Sequence, residues 1–164
     1  MEKKLQEQLQ EQFHNAFYDN IKQSIDSEDH SYVVRLYAEI RDRLAQHVNK
    51  DSKAYKHIHE QLDVPFFEQL LTNRQFDWAS MRGLINTTYQ WIHDLQMPLR
   101  DTSTEESKQR LMKSTGTMAD VVANYIKEVH TTLDLMDKDI KDFYENVHHP
   151  VVQNMLQQAV RKKS

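Results

Sequence analysis

The chain has 164 residues and a net charge of −4, with 38% hydrophobic and 28% charged residues. That is enough for one domain that removes roughly 70% of its unfolded surface from water, and it is too apolar for a disordered segment. Two glycines, three prolines and no cysteine exclude a fold rich in tight turns, disulfides, cysteine zinc sites and thiol catalysis.

Leu5, Leu9, Phe13, Phe17, Ile21 and Ile25 recur at four-residue spacing over an otherwise polar N-terminal segment. The spacing predicts an amphipathic helix over 1–26 whose stripe drifts slowly around its axis. Ser27 to Ser31 is a polar break. Val33, Tyr37, Ile40, Leu44 and Val48 mark a second amphipathic helix, and Asn49 to Ser52 close it. Tyr55, Ile58 and Leu62 predict a shorter helix. Asp63 followed by Pro65 predicts a cap and restart, and Phe66, Phe67, Leu70 and Leu71 place the next short helix near the centre of the core.

Asp77 reads as an N-cap for a helix running from Trp78 through Ile85, Tyr89 and Ile92 to Pro98. Proline lacks an amide hydrogen and pushes Met97 out of the helical region, so the chain must turn a corner at Pro98-Leu99-Arg100-Asp101. Thr102 with Glu105 and Ser103 with Glu106 predict overlapping capping boxes for a short, peripheral helix that ends at Gly116. From Thr117, apolar residues alternate steps of four and three from Met118 to Val147, predicting one long packed helix. Asp134 with Lys138 and Asp137 with Lys141 predict acid-before-base pairs on its outer face. Val151 to Val160 predict a last helix after His148-His149-Pro150. The fold class is therefore all-α: a single-domain bundle of about seven to eight helices over 1–164.

No reaction is legible. There is no G-x-S-x-G and no glycine-rich phosphate loop. Glu11/His14 and Glu145/His148 have the spacing of di-iron bundle ligands, but each glutamate lies about 160° around its helix from the neighbouring core phenylalanine. His57 and His59 diverge on a helix, and His148-His149 adjoin at a helix end. His93 and His130 read as surface or satisfied helix residues. The expectation is no metal, no cofactor and no catalytic residue. The only basic cluster, Arg161 to Lys163, is too small for a nucleic-acid surface, and no apolar run approaches a membrane span. Without a signal peptide, the expected location is cytoplasmic.

Three stretches in order resemble the T-complex protein 11 family. His30-Ser31-Tyr32 with Leu36 and Glu39-Ile40-Arg41-Asp42-Arg43-Leu44 is similar to that family's opening motif. Leu95-Gln96-Met97-Pro98-Leu99-Arg100-Asp101 is similar to its L-C-A-P-V-R-D, with Gln96-Met97 replacing Cys-Ala. Leu133 to Phe143 is similar to its L-x-L-M-x-x-D-M-x-x-F. The resemblance covers roughly residues 30–160, part of the family domain only. It implies a non-catalytic helical domain, associated in some members with cyclic-AMP and protein-kinase-A signalling.

The resulting expectation is an interaction module or adaptor with a protein partner. Its contact surface would be Pro98, Leu99, Arg100 and Asp101 together with Asp134, Asp137, Lys138 and Lys141 on the long helix. Arg100 has a second reading, in which it binds a helix end or a carboxylate and simply fixes the turn. A homodimer formed through the N-terminal helix is the alternative, with docking of that helix on its own bundle favoured over it. A metal-dependent helical-bundle enzyme is the third choice.

Overall fold

The computed structural model describes residues 2–147 and 150–163. Eight α-helices and one 3-10 turn follow in order, with no strand among the described residues. They are α1 (Glu2–Asp26), α2 (Ser31–Ala45), α3 (Lys53–Gln61), α4 (Val64–Thr72), α5 (Trp78–Leu95), the turn Pro98–Arg100, α6 (Asp101–Met112), α7 (Met118–Glu145) and α8 (Pro150–Lys163). The all-α, single-domain expectation holds.

α7 is the axis of the bundle, in contact with α1, α2, α5 and α6. It starts where the sequence says it should. Thr117 Oγ1 accepts from the Asp120 amide and the Asp120 carboxylate accepts from the Thr117 amide, a complete capping box. Gly116 precedes it at φ +116°, where a side chain would be strained and a Cβ would meet Asp120 Oδ2 at 3.0 Å. Gly116 therefore serves the start of α7 rather than the end of α6, which closes at Met112. Val122, Tyr125, Val129, Leu133 and Met136 are buried as the spacing predicts. Val121, Ala123, Ile126 and Thr132 are buried as well, because partners surround this half of the helix on several sides.

Ser52, Asp63 and Asp77 cap α3, α4 and α5 by accepting backbone amides three residues on. α4 differs from expectation. Phe67 and Leu71 are buried, but Phe66 is 54% exposed and Leu70 only partly covered, so α4 lies on the flank with one edge inward. A chain poor in glycine closes α4 with Arg74 at φ 54°, while the Gln75 amide donates to Leu70 O at 2.8 Å.

α1 docks by half. Ile21 is fully buried, Phe17 and Ile25 pack on the core, and Lys22 Nζ meets Asp120 at 2.7 Å. Phe17 meets His130 edge-on while Lys22 meets Asp120, so α1 and α7 run antiparallel. Burying one isoleucine side chain stabilises by about 2 kcal/mol, far more than an exposed ion pair. The earlier half of the stripe, Leu5, Leu9 and Phe13, is exposed.

Candidate functional site

α5 ends at Leu95 because Gln96 and Met97 are extended ahead of Pro98. The chain then makes a single 3-10 turn, closed by the Arg100 amide on Met97 O at 3.0 Å, and enters α6 directly at Asp101. The predicted capping boxes are absent. Thr102 and Ser103 already lie inside α6, and the residue before it, Arg100, gives no side-chain cap. Ser103 Oγ instead donates back to Arg100 O at 3.1 Å.

The corner is held from inside by a polar chain. Gln96, buried, donates from Nε2 to Asp101 Oδ1 at 2.8 Å and accepts from Thr104 Oγ1 at 2.6 Å. Ser107, one turn on, bonds the Tyr89 hydroxyl at 2.7 Å and donates to Glu128 Oε2 at 2.8 Å. α6 looks peripheral in sequence because Leu111 and Met112 are its only apolar residues. Its inner face is Thr104, Ser107 and Leu111, all buried, so it packs through hydroxyls whose hydrogen bonds replace those lost to water.

Arg100 is fixed by α7. Its Nε and Nη2 donate to the two oxygens of Asp139 at 2.6 and 3.0 Å, a two-pronged pair with the carboxylate largely covered. The bonds to Asp139 hold the guanidinium above its usual pKa. Arg100 comes from one family-like stretch and Asp139 from another, so folding joins the corner to the acidic position of the Leu133–Phe143 motif. Of the two readings of Arg100, the geometry is that of the turn-fixing one.

Beside this pair lies a groove of about 440 Å³, lined by Met97, Leu99, Asp139, Asp142, Phe143, Asn146, Val151 and Met155. Leu99 is 59% exposed at its edge. The turn thus presents an apolar side chain to solvent on a backbone that Arg100 keeps in place.

The eight residues singled out in the sequence do not form one surface. Of the corner residues Leu99 lines the groove and Arg100 binds Asp139 in its wall, whereas Pro98 is outside the lining and Asp101 binds Gln96 and lies 3.8 Å from His93 Nε2. Asp134 and Asp137 belong to another place, the seam between α2 and α7. Arg43 Nη2 donates to both carboxylates at 2.8 Å, and His47 Nε2 lies 2.9 Å from Asp137 Oδ1. The predicted pairs within α7 are therefore replaced by cross-helix ones. Lys138 makes no ion pair among the described residues, and Lys141 reaches Glu145 at 3.8 Å.

Under Phe17, His130 Nδ1 lies 3.4 Å from Arg43 Nη1. A guanidinium can only donate, so Nδ1 accepts and the proton sits on Nε2, which is buried and, beyond the Leu36 carbonyl, has no partner among the described residues. Burial first, then the Arg43 charge, hold this imidazole below its ordinary value, with Glu39, Asp134 and the Leu36 carbonyl opposing. Asp139 and Phe143 are the site residues that sequence reasoning missed. Their signal was present: a half-buried arginine at a corner needs a carboxylate, and Asp139 falls within the third family-like stretch.

Neither histidine-carboxylate pair can be followed to a site. Glu11 and Glu145 are exposed, whereas the His14 side chain and His148-His149 lie outside the described residues. His59 Nδ1 is 3.0 Å from Tyr55 O, and His57 is exposed. Among the described residues no helix is long and apolar enough to cross a membrane.

No curated protein and no solved structure matches this sequence. The profile of the T-complex protein 11 family matches residues 1–153, taking in α1 as well as the stretches from His30 onward. Spanning nearly all of the bundle, that match, with the corner and its Asp139 partner in place, shows that the chain belongs to the T-complex protein 11 family.

Proposed function

We propose that this chain is a non-catalytic interaction module that docks a protein partner in the groove at the Pro98–Arg100 corner, in the cytoplasm. The observation that carries the reading is Leu99. A leucine 59% exposed stands on a turn held by a two-pronged arginine–aspartate pair, at the edge of an apolar groove of about 440 Å³. The T-complex protein 11 family is not a known enzyme family. The association of some members with cyclic-AMP and protein-kinase-A signalling makes this chain a regulator or adaptor in that pathway, and the kinase's own subunits the first partners to test.

The test is calorimetric titration of purified protein-kinase-A regulatory and catalytic subunits into the wild-type chain and into Leu99→Asp. Binding to either subunit, weakened at least about tenfold by a charge in the groove, supports the reading. No binding to either rejects the kinase partner, and binding indifferent to Leu99→Asp rejects the groove.

A second reading rests on α1, whose Leu5, Leu9 and Phe13 are 59%, 47% and 76% exposed on one helix. In that reading, two copies pair through these residues. Removing residues 1–26 would not test it cleanly, because Ile21 belongs to the core. The triple variant Leu5→Ser, Leu9→Ser, Phe13→Ser leaves the docked half intact, and sedimentation should then show a dimer falling to monomer.

A further inference from the structure

Tyr37 on α2 is 1% exposed, yet its hydroxyl makes no hydrogen bond among the described residues. Buried tyrosine hydroxyls ordinarily find a partner. This oxygen is not sealed in, because Tyr37 lines a cleft of about 210 Å³ between α4 and α5. The walls are mostly apolar, with Phe66, Phe67, Phe76, Leu70 and Leu84, and Gln61, Ser80 and Thr87 add neutral polar edges. Phe67 packs on Tyr37 with ring centroids 4.4 Å apart and meets Phe76 edge-on at 5.6 Å, forming the inner wall, while Phe66 is 54% exposed at the rim.

Gly83 forms part of the lining from the middle of α5. A glycine there costs about 0.5–1 kcal/mol relative to alanine. Nothing in the fold requires it, since a Cβ would have no atom within 4 Å. The space above Gly83 is open to an occupant from outside.

The cleft has one sign of charge. Asp63 is the sole ionisable carboxylate or base in its lining apart from the tyrosine itself. Its Oδ1 accepts the Phe66 amide to cap α4, which leaves Oδ2 uncommitted among the described residues. Burial, and next the Asp63 charge, push the Tyr37 hydroxyl well above its ordinary value, with Arg41 opposing. The hydroxyl is therefore neutral. Arg41 is bonded to Asp42 at 3.0 Å and does not line the cleft.

A neutral hydroxyl and a half-used carboxylate in the lining of one mostly apolar slot suit a cation on an aliphatic stem. The volume is below the roughly 300 Å³ at which cofactor and drug-sized sites begin, so the slot takes one side chain. With one carboxylate oxygen already spent on the α4 cap, the two-pronged geometry that favours arginine is unavailable, and a point charge fits better. We propose that this cleft is a subsite for a lysine side chain of a partner protein, with its stem along Phe66 and Leu70 and its ammonium at Asp63 and Tyr37. The proposal shares with the corner groove only the premise that the chain binds proteins.

The test is nuclear magnetic resonance of the full chain titrated with N-acetyl-lysine methylamide, and in parallel with the same amide acetylated on Nε and with n-butylammonium. Saturable shifts of the Phe66, Gly83 and Thr87 amides at millimolar probe are expected, at least about tenfold weaker with the acetylated probe. Asp63→Asn, which keeps a good cap, and Gly83→Leu, which fills the slot with a better helix former, should each weaken the effect at least tenfold. Equal response to the acetylated probe would overturn the proposal, as would no saturable shift or shifts confined to the Leu99 groove. Tighter binding of n-butylammonium than of the lysine amide would overturn it in favour of a free amine. A negative result here leaves the kinase titration at Leu99 unaffected, so the two readings fail separately.

Discussion

From Ala119 to Met136, α7 is wrapped by α1, α2, α5 and α6, and ten of its residues are buried. From Asp137 to Glu145 the same helix has none, and its apolar positions Ile140 and Phe143 are only partly covered. The three-four spacing runs through both halves without a break. Periodicity thus tells which face of a helix is apolar and does not tell what covers it. In the first half the cover is the chain's own core; in the second it is a groove wall beside Leu99.

Truncation should separate the halves most sharply. Ile126→Ala in the wrapped half is expected to cost about 2–5 kcal/mol of unfolding free energy, and Phe143→Ala in the open half about 1 kcal/mol or less. Urea denaturation of both variants measures the difference. Equal costs would mean that the open half is packed as tightly as the core.

The Arg100–Asp139 pair ties the open half to the corner, as Arg43 and His47 on Asp137 tie its first turn to α2 and the residues just after it. Asp139→Asn should cost about 1–3 kcal/mol and speed amide exchange at Leu99 and Arg100. Stability loss without faster exchange there would show that the pair does not hold the turn.

A pH titration probes the wrapped half through His130. Its imidazole is held below the ordinary 6.5, so between these values the unfolded chain binds more protons than the folded one. Stability is full above about 6.5 and falls as pH drops through the folded value. Carboxylates held low, such as Asp120 at about 2, contribute their losses only below their ordinary 3.8. The decline between 6.5 and 4 should therefore shrink in His130→Gln and persist in Asp139→Asn. A decline that His130→Gln leaves untouched would assign it to other groups.

The smallest effect is expected on the exposed side of the open half. Lys138→Ala and Lys141→Ala should each change stability by no more than about 0.5 kcal/mol, since Lys141 reaches an exposed Glu145 only at 3.8 Å. A larger loss in thermal melts would reveal a contact of Lys138 outside the described residues.

Much of the architecture was legible. The caps at Asp63 and Asp77 are local hydrogen bonds between residues three apart, so sequence spacing suffices to find them, and the structure adds caps of the same kind at Ser52 and Thr117. The same rule failed at Thr102 and Ser103, because Pro98 starts a 3-10 turn that runs straight into α6 and leaves those residues inside the helix. Asp134 and Asp137 were placed on the outer face with lysine partners one turn away. Arg43, more than ninety positions earlier, takes both carboxylates, and no local spacing carries that information. The inner face of α6 was missed for a related reason. Serine and threonine are read as solvent-facing unless their partners, here buried Gln96 and Tyr89 and half-buried Glu128, are known.

Hydroxyls in place of methyls also fix α6 in angle. Apolar contacts tolerate a helix rolling by some degrees, whereas the 2.6 Å bond from Thr104 to Gln96 and the 2.8 Å bond from Ser107 to Glu128 are directional. Rolling α6 by one residue, about 100°, would turn Glu105 and Lys108 inward one way, or Glu106 and Arg110 the other, without partners. Because Gln96 and Asp101 belong to the same chain of bonds, the elbow between α5 and α6 inherits that fixed angle. The corner is preorganised: its angle is set by bonds within the chain, so a partner docked at Leu99 as proposed would lose little affinity to ordering it.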